Sequence, residues 1–166
     1  MLDWLSSKVA MTLAALLMLA GVAGFFLAQR DRAVQDTLDT ISREAAAFID
    51  GVSRCPCEIA TSISLGPPPS GAAEGLELPA LAAGQTYSLV LYPSYVVADG
   101  GGSRAVAVLR TLVHLWNPDG GPFTLDDVAE QDRRNPSLAF GGGTLALRRQ
   151  PLPTGGSPAL GTFAFL

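Results

Sequence analysis

Lysine, histidine and cysteine are nearly absent from this chain, which has one, one and two of them among 166 residues. Every cation other than Lys8 is an arginine, and the net charge is −4. Phosphate backbones are held by clustered Lys and Arg, so this balance excludes a nucleic-acid partner. The doublets Arg133-Arg134 and Arg148-Arg149 are too small to form such a footprint. A lone histidine, His114, cannot define a Ser-His-Asp arrangement by spacing; within Leu112 to Trp116 it reads as a satisfied strand histidine. The glycine runs lack the Lys-Ser/Thr of a phosphate loop and the strand-to-helix context of a dinucleotide site, so they read as turns. Both Asn117 and Asn135 precede proline, which leaves no N-glycosylation acceptor. No internal repeat occurs. No cofactor or metal is implied, and with no catalytic constellation an enzyme is not expected.

What is present is an apolar run and a change of character after it. Val9 to Ala28 carries no charge. At about 1.5 Å per residue, roughly 20 helical residues cross a bilayer. Two readings compete. As a cleaved secretory signal the run is long, its leading segment is weakly basic because Asp3 offsets Lys8, and Gly21-Val22-Ala23 offers a small-x-small cleavage site. As a retained anchor it explains more, because the helical pattern continues past Ala28 with no breaker. Lys8 and the N-terminal amine nearly balance Arg30 and Arg32 under the positive-inside rule. A short tail ahead of a large C-terminal domain favours that domain lying outside the cell membrane.

From Gln29 to Val52 the chain is polar but keeps an apolar seam at Val34, Leu38, Ile41, Ala45, Phe48 and Val52, in alternating steps of four and three. The seam is short for an autonomous coiled coil and is expected to pack on the chain's own sheet. Arg32, Asp36, Asp39, Arg43 and Asp50 are expected to form the solvated face opposite. Gly51 marks the expected helix end.

Glycine and proline are plentiful (18 and 12) and fall mostly after residue 50, as suits a turn-rich β domain. The pattern predicts a strand over Glu58 to Leu65, a loop over Gly66 to Gly75, and a hairpin of Thr86–Ala98 with Arg104–Trp116 about Asp99 to Ser103. Pro93 belongs at an edge or bulge of that hairpin. Asn117 to Pro122 reads as another loop. Thr124 and Asp127 form a capping-box-like start to a helix over Leu125–Arg133. Strands are expected over Thr144–Arg149 and, after Gly155 to Pro158, over Gly161–Leu166. The fold class is therefore α+β, a long N-terminal helix (transmembrane, then amphipathic) packed on a mainly antiparallel β-sheet domain. The divisions are 1–28 for the tail and transmembrane helix, 29–53 for the amphipathic helix, and 54–166 for the β-rich domain.

Cys55-Pro56-Cys57 is the one candidate for redox or metal chemistry. A metal would need further ligands beyond His114, and pairing with another chain is also open. The plainer role is a small disulfide or two buried thiols at the helix-to-sheet corner, although bridging residues so close is geometrically demanding. Asp119, Asp126, Asp127, Glu130 and Asp132 form an acidic cluster of the kind calcium takes, but without EF-hand spacing. Helix capping and a solvated face are the expected roles.

The order of short tail, membrane-length helix, amphipathic helix and antiparallel β domain resembles type IV pilins, pseudopilins and their archaeal relatives. The segments closest to the archaeal pilin-like membrane proteins are Ser7-Lys8-Val9-Ala10-Met11-Thr12-Leu13 and Gly143-Thr144-Leu145-Ala146-Leu147-Arg148-Arg149. The resemblance implies that Val9, Leu13, Leu16, Leu17, Leu19, Val22, Phe25 and Phe26 hold the chain in lipid and pack subunits together. It implies membrane lipid, further copies of the chain or related pilin-like subunits as partners. Two features depart from the family. Lys8 is followed by Val9 where a processing site wants a small residue, and the acidic residue many bacterial pilins carry early in the apolar helix is missing. An uncleaved or minor component fits better than a major filament subunit. The alternative from another class is a membrane-tethered binding or redox module using Cys55 and Cys57.

Overall fold

The computed structural model describes residues 2–67, 75–119, 123–152 and 159–166, with side chains from Lys8 onward. Most of the loop expected at Gly66 to Gly75, the second half of the one at Asn117 to Pro122, and Gly155 to Pro158 lie outside those residues. Helix α1 is Leu2–Arg54. The chain divides into two compact units inside this helix, Met1–Ala33 and Val34–Leu166. In the first unit every described side chain from Lys8 to Ala33 is exposed.

The second unit combines the rest of α1 with nine strands and a short helix. In chain order these are β1 (Ile59–Leu65), β2 (Leu76–Leu78), β3 (Tyr87–Tyr92), β4 (Tyr95–Gly100), β5 (Ser103–Val108), β6 (Val113–His114), α2 (Leu125–Arg134), β7 (Leu138–Phe140), β8 (Gly143–Leu152) and β9 (Ala159–Phe165). They form a five-stranded sheet ordered β2-β1-β8-β9-β6 and a four-stranded sheet ordered β5-β4-β3-β7. Pairing is antiparallel except for β1 with β2 and β6 with β9, which are parallel. The fold is thus α+β, with a long N-terminal helix packed on mixed but mainly antiparallel sheets.

The expected single hairpin is two hairpins and a departure. Pro93 and Ser94 make the turn between β3 and β4, whose ends pair at Tyr92 and Tyr95 with rings stacked 4.3 Å apart. Proline occupies the first corner, where its fixed φ suits the turn and its missing donor costs nothing. Gly101 and Gly102, both at positive φ (62° and 78°), turn β4 into β5. Two such residues in a two-residue loop match the right-handed twist of the flanking strands. After β5 the chain leaves this sheet, and β6 joins the other one beside β9. Strand β7 was not expected, β8 extends past Arg149 to Leu152, and β9 starts two residues before Gly161. The capping box at Thr124 and Asp127 is present and starts α2.

One core joins α1 to both sheets. Val34, Leu38, Ile41, Ala45, Ala46 and Ile49 meet Leu89, Leu91, Val96 and Ala98 of the smaller sheet and Ile63, Leu145, Leu147 and Ala164 of the larger. The buried face departs from the expected seam at one position. Phe48 is half-buried against the core, and Ile49 takes its place inside. At about 100° per residue, the buried Ser42, Ala46, Ile49 and Ser53 widen the face to one side of the seam, which leaves Phe48 at its edge and Ile49 within it. The face is also wide, and Ser42, Asp50 and Ser53 are buried on it. Asp50 therefore does not belong to the solvated face, whereas Arg32, Asp36 and Arg43 are exposed and Asp39 is half-buried. The helix also runs three residues past Gly51.

Among the hydrogen bonds from α1 to the rest of the domain are those of Gln35, Asp50 and Ser53, which span long sequence distances. Gln35 Nε2 donates to the Arg104 carbonyl (3.1 Å). Asp50 Oδ1 accepts from Arg110 N (2.9 Å) and from the Thr111 hydroxyl (3.3 Å). The Ser53 hydroxyl accepts from the Thr162 hydroxyl (2.9 Å) on β9. These bonds explain why polar residues can occupy a buried helical face.

Leu38 is fully enclosed, at 0% exposure. Leu38→Ala is expected to lower stability by about 2–5 kcal/mol, while Asp36→Ala on the exposed face should change it by less than about 0.5 kcal/mol. Denaturant unfolding of the full chain in detergent micelles measures both. Burial pushes the Tyr87 phenol from 10.0 up to about 12, and its hydroxyl donates to the Pro79 carbonyl. Folding favours the neutral phenol, so this contribution is complete below about pH 10 and is lost as pH rises toward 12. Unfolding curves across that window should show the loss, and Tyr87→Phe should flatten it.

Candidate functional site

The largest chemical anomaly is the first unit. Helical residues from Lys8 to Ala33 are exposed on every side, and between Lys8 and Arg30 none is charged. Val9, Leu13, Leu16, Leu17, Leu19, Val22, Phe25 and Phe26 are all exposed, each by more than half. An amphipathic surface helix buries one stripe, whereas a helix apolar all round needs apolar surroundings on all sides. This one is long and apolar enough to cross a membrane. Gly21 and Gly24 leave open space beside the helix backbone, where a neighbouring helix could approach closely.

The seam residues are placed quite differently. Val34, Leu38, Ile41, Ala45 and Val52 are buried and Phe48 is half-buried, all within the second unit. The one helix thus carries an uncovered apolar surface in its first part and a covered one in its second.

Cys55 and Cys57 form a disulfide at the corner where α1 ends, with Cα atoms 5.3 Å apart. The turn is closed by Cys55 N donating to the Val52 carbonyl (3.1 Å). Bridging removes both thiolates, the form in which cysteine binds metal. His114 lies elsewhere. Its Nδ1 is 2.9 and 3.0 Å from the two carboxylate oxygens of Asp132, and its ring packs 5.0 Å from that of Phe163. The histidine is buried and satisfied by an acid on α2.

Four of the five acidic residues take separate structural duties, and Asp126 makes no side-chain pairing among the described residues. Asp119 pairs with Arg148. Asp127 caps α2, and its carboxyl is held below the usual range by the backbone hydrogen bond from Thr124, then by the Thr124 hydroxyl. Glu130 pairs with Arg133 and Arg134, and Asp132 holds His114. No group of three His, Cys, Asp or Glu side chains placed to hold a metal ion occurs among the described residues.

Two of the polar-lined depressions lie beside helices. One, of about 520 Å³, lies between α2 and the ends of β7 and β9, lined by Trp116, Phe123, Gln131, Asn135 and Leu138 among others. Of its polar groups, the Asn135 amide donates to Gln131 (2.9 and 3.3 Å) and Asp127 serves the cap, whereas the buried Trp116 Nε1 has no hydrogen-bond partner among the described residues. The other, of about 470 Å³, lies between α1 and the chain at the end of β5, lined by Arg43, Asp50, Arg54 and Arg110 with Ala46, Ala47, Ala107 and Val108. Sequence reasoning missed it because its arginines are scattered over some seventy positions and only folding brings them together. No protein-family model, curated protein or solved structure matches this chain.

The disulfide closes a very short loop, so its removal relaxes the unfolded chain little. Cys55→Ser with Cys57→Ser should cost well under the ~2–4 kcal/mol typical of bridges across long loops. Intact mass before and after reduction should differ by two hydrogens, which tests the bond itself.

Proposed function

We propose that this chain is a membrane-anchored, pilin-like or pseudopilin-like structural component of a cell-surface filament or of its assembly complex. It crosses the cell membrane once, with the C-terminal domain on the extracytoplasmic side. The observation that carries this reading is the uncovered apolar helix ahead of a domain that buries its own part of the same helix. Lipid can cover Val9 to Ala28 while the chain is single, and copies of the same helix can cover it in an assembly. The Cys55–Cys57 disulfide supports the extracytoplasmic side, because such bonds persist in oxidising compartments. The absence of a convergent catalytic constellation among the described residues leaves a structural role as the better fit.

A second reading is a membrane-tethered binding or redox module acting through the disulfide. The exposure of Cys57 favours it, since an exposed bridge is open to exchange. Replacing both cysteines separates the two, because it abolishes redox exchange and leaves subunit assembly intact.

The primary test is intact mass with N-terminal sequencing of protein purified from its native membranes. A start near Val9 to Met11 is the expected result for a prepilin-type processed subunit. A start at Met1 points to a permanently anchored, minor component. A start near Gly24 overturns the anchor altogether. Leu17→Arg provides the companion measurement. A cation at the centre of a spanning helix costs about 2.5–3.5 kcal/mol on insertion scales, so the variant should shift from the membrane to the soluble fraction.

A further inference from the structure

The groove beside β5 has a charge opposite to that of the whole chain. Three arginines and one aspartate line it, in a protein of net charge −4. Asp50 is buried and its Oδ1 accepts from Arg110 N and the Thr111 hydroxyl, and with its charge counted the three arginines leave the lining at +2. Arg43 Nε donates to the Asp39 carbonyl, which leaves its terminal nitrogens available (3.0 Å). The guanidinium groups of Arg54 and Arg110 make no hydrogen bond or ion pair among the described residues. The lip is apolar: Val108 is 75% exposed, beside exposed Val106 and Leu112. Such a surface asks for a carboxylate-bearing segment with an apolar residue next to it.

The chain itself carries that segment. The first turn of α2 presents Leu125, 51% exposed, beside Asp126 and Asp127. Asp126 has no partner among the described residues. Asp127 Oδ2 accepts from Thr124 N and the Thr124 hydroxyl, which leaves its other carboxylate oxygen outward. In this structure neither Asp126 nor Asp127 lines the groove, and Asp127 is held by Thr124. β5 and β7 are opposite edges of the smaller sheet, with β4 and β3 between them, so about 14 Å separates the edges at roughly 4.8 Å per strand. Helix α2 enters β7 through residues 135–137, shares its depression with Leu138 and Phe165, and reaches His114 on β6 through Asp132.

We infer that the groove lined by Arg43, Arg54 and Arg110 receives the acidic first turn of α2 from a second copy of this chain. The contact joins two different surfaces, so it is heterologous and propagates from copy to copy instead of closing as a two-fold dimer. This inference rests on the proposed self-assembling role and assigns it a contact between neighbouring C-terminal domains, independent of the apolar helix.

The test uses the full chain in membrane vesicles, with two differently tagged versions. One carries Val108→Cys and the other Leu125→Cys, and the native cysteines remain bridged. A thiol cross-linker should join the mixed pair and leave copies of a single version unjoined. Arg54→Glu with Arg110→Glu on the first version should lower the yield about tenfold, and raising the salt should lower it as well. Asp126→Arg on the second version should partly restore pairing with the charge-reversed groove. Arg54→Gln with Arg110→Gln, folded like the parent by circular dichroism, checks that the loss does not come from misfolding. Equal cross-linking in single-version samples, or a yield unmoved by the charge changes, overturns the inference. Loss without restoration also overturns it and points to a different anion in the groove. A parallel Leu16→Cys cross-link reports helix-to-helix association. If that bond forms and the Val108–Leu125 bond does not, the head contact fails and the assembly role stands. If neither forms, both fail.

Discussion

The domain depends on one interaction, the burial of a broad face of α1 against both sheets at once. Neither sheet contains a full core alone. Leu89, Leu91 and Val96 come from one, Ile63, Leu145 and Leu147 from the other, and Val34, Leu38, Ile41, Ala45 and Ile49 fill the space they share. The helix is also where the polar ties converge. Gln35 and Asp50 reach the chain around β5, and Ser53 reaches Thr162 on β9. Removing the helix would leave two sheets each with an apolar face and no partner for it.

That dependence gives the helix two unlike tasks along its length. Up to Ala33 it has no protein surface to lie on, and its composition is what lipid or another such helix requires. From Val34 it becomes a core element with one wet side. The change is abrupt in sequence, from an uncharged run to Arg30, Asp31 and Arg32, and the boundary between the two units falls just behind those charges.

Much of this was legible because it is local. The apolar run, the four-and-three spacing, the capping box of α2 and the glycine turn after β4 each depend on neighbours a few residues away. What stayed hidden depends on distant partners or on small geometric differences. Asp50 reads as a surface acid until Arg110 and Thr111, sixty positions on, are placed beside it. Phe48 and Ile49 exchange roles because the buried face is broader than the seam and lies to one side of it, with Phe48 at its edge. The run from Thr86 to Ala98 reads as one strand because its β-forming residues continue on both sides of Pro93, and only the pairing of Tyr92 with Tyr95 reveals the turn. Strands β2, β6 and β7 are two or three residues long and carry no periodicity of their own. The histidine's partner and the arginine groove are likewise products of assembly, with no motif to announce them.

The distribution of sheet edges has a consequence for how such domains live side by side. Three of the four edges, β2, β6 and β7, are too short to template another strand. The long one, β5, is bracketed by the Gln35 and Asp50 bonds from α1. About 22 Å of helix axis between Gln35 and Asp50 matches about 20 Å of extended chain between Arg104 and Arg110. The helix therefore acts as a guard rail along the one ladder open to runaway pairing. Wherever such domains stand close together, that arrangement keeps the β5 edge from templating a strand of a neighbour.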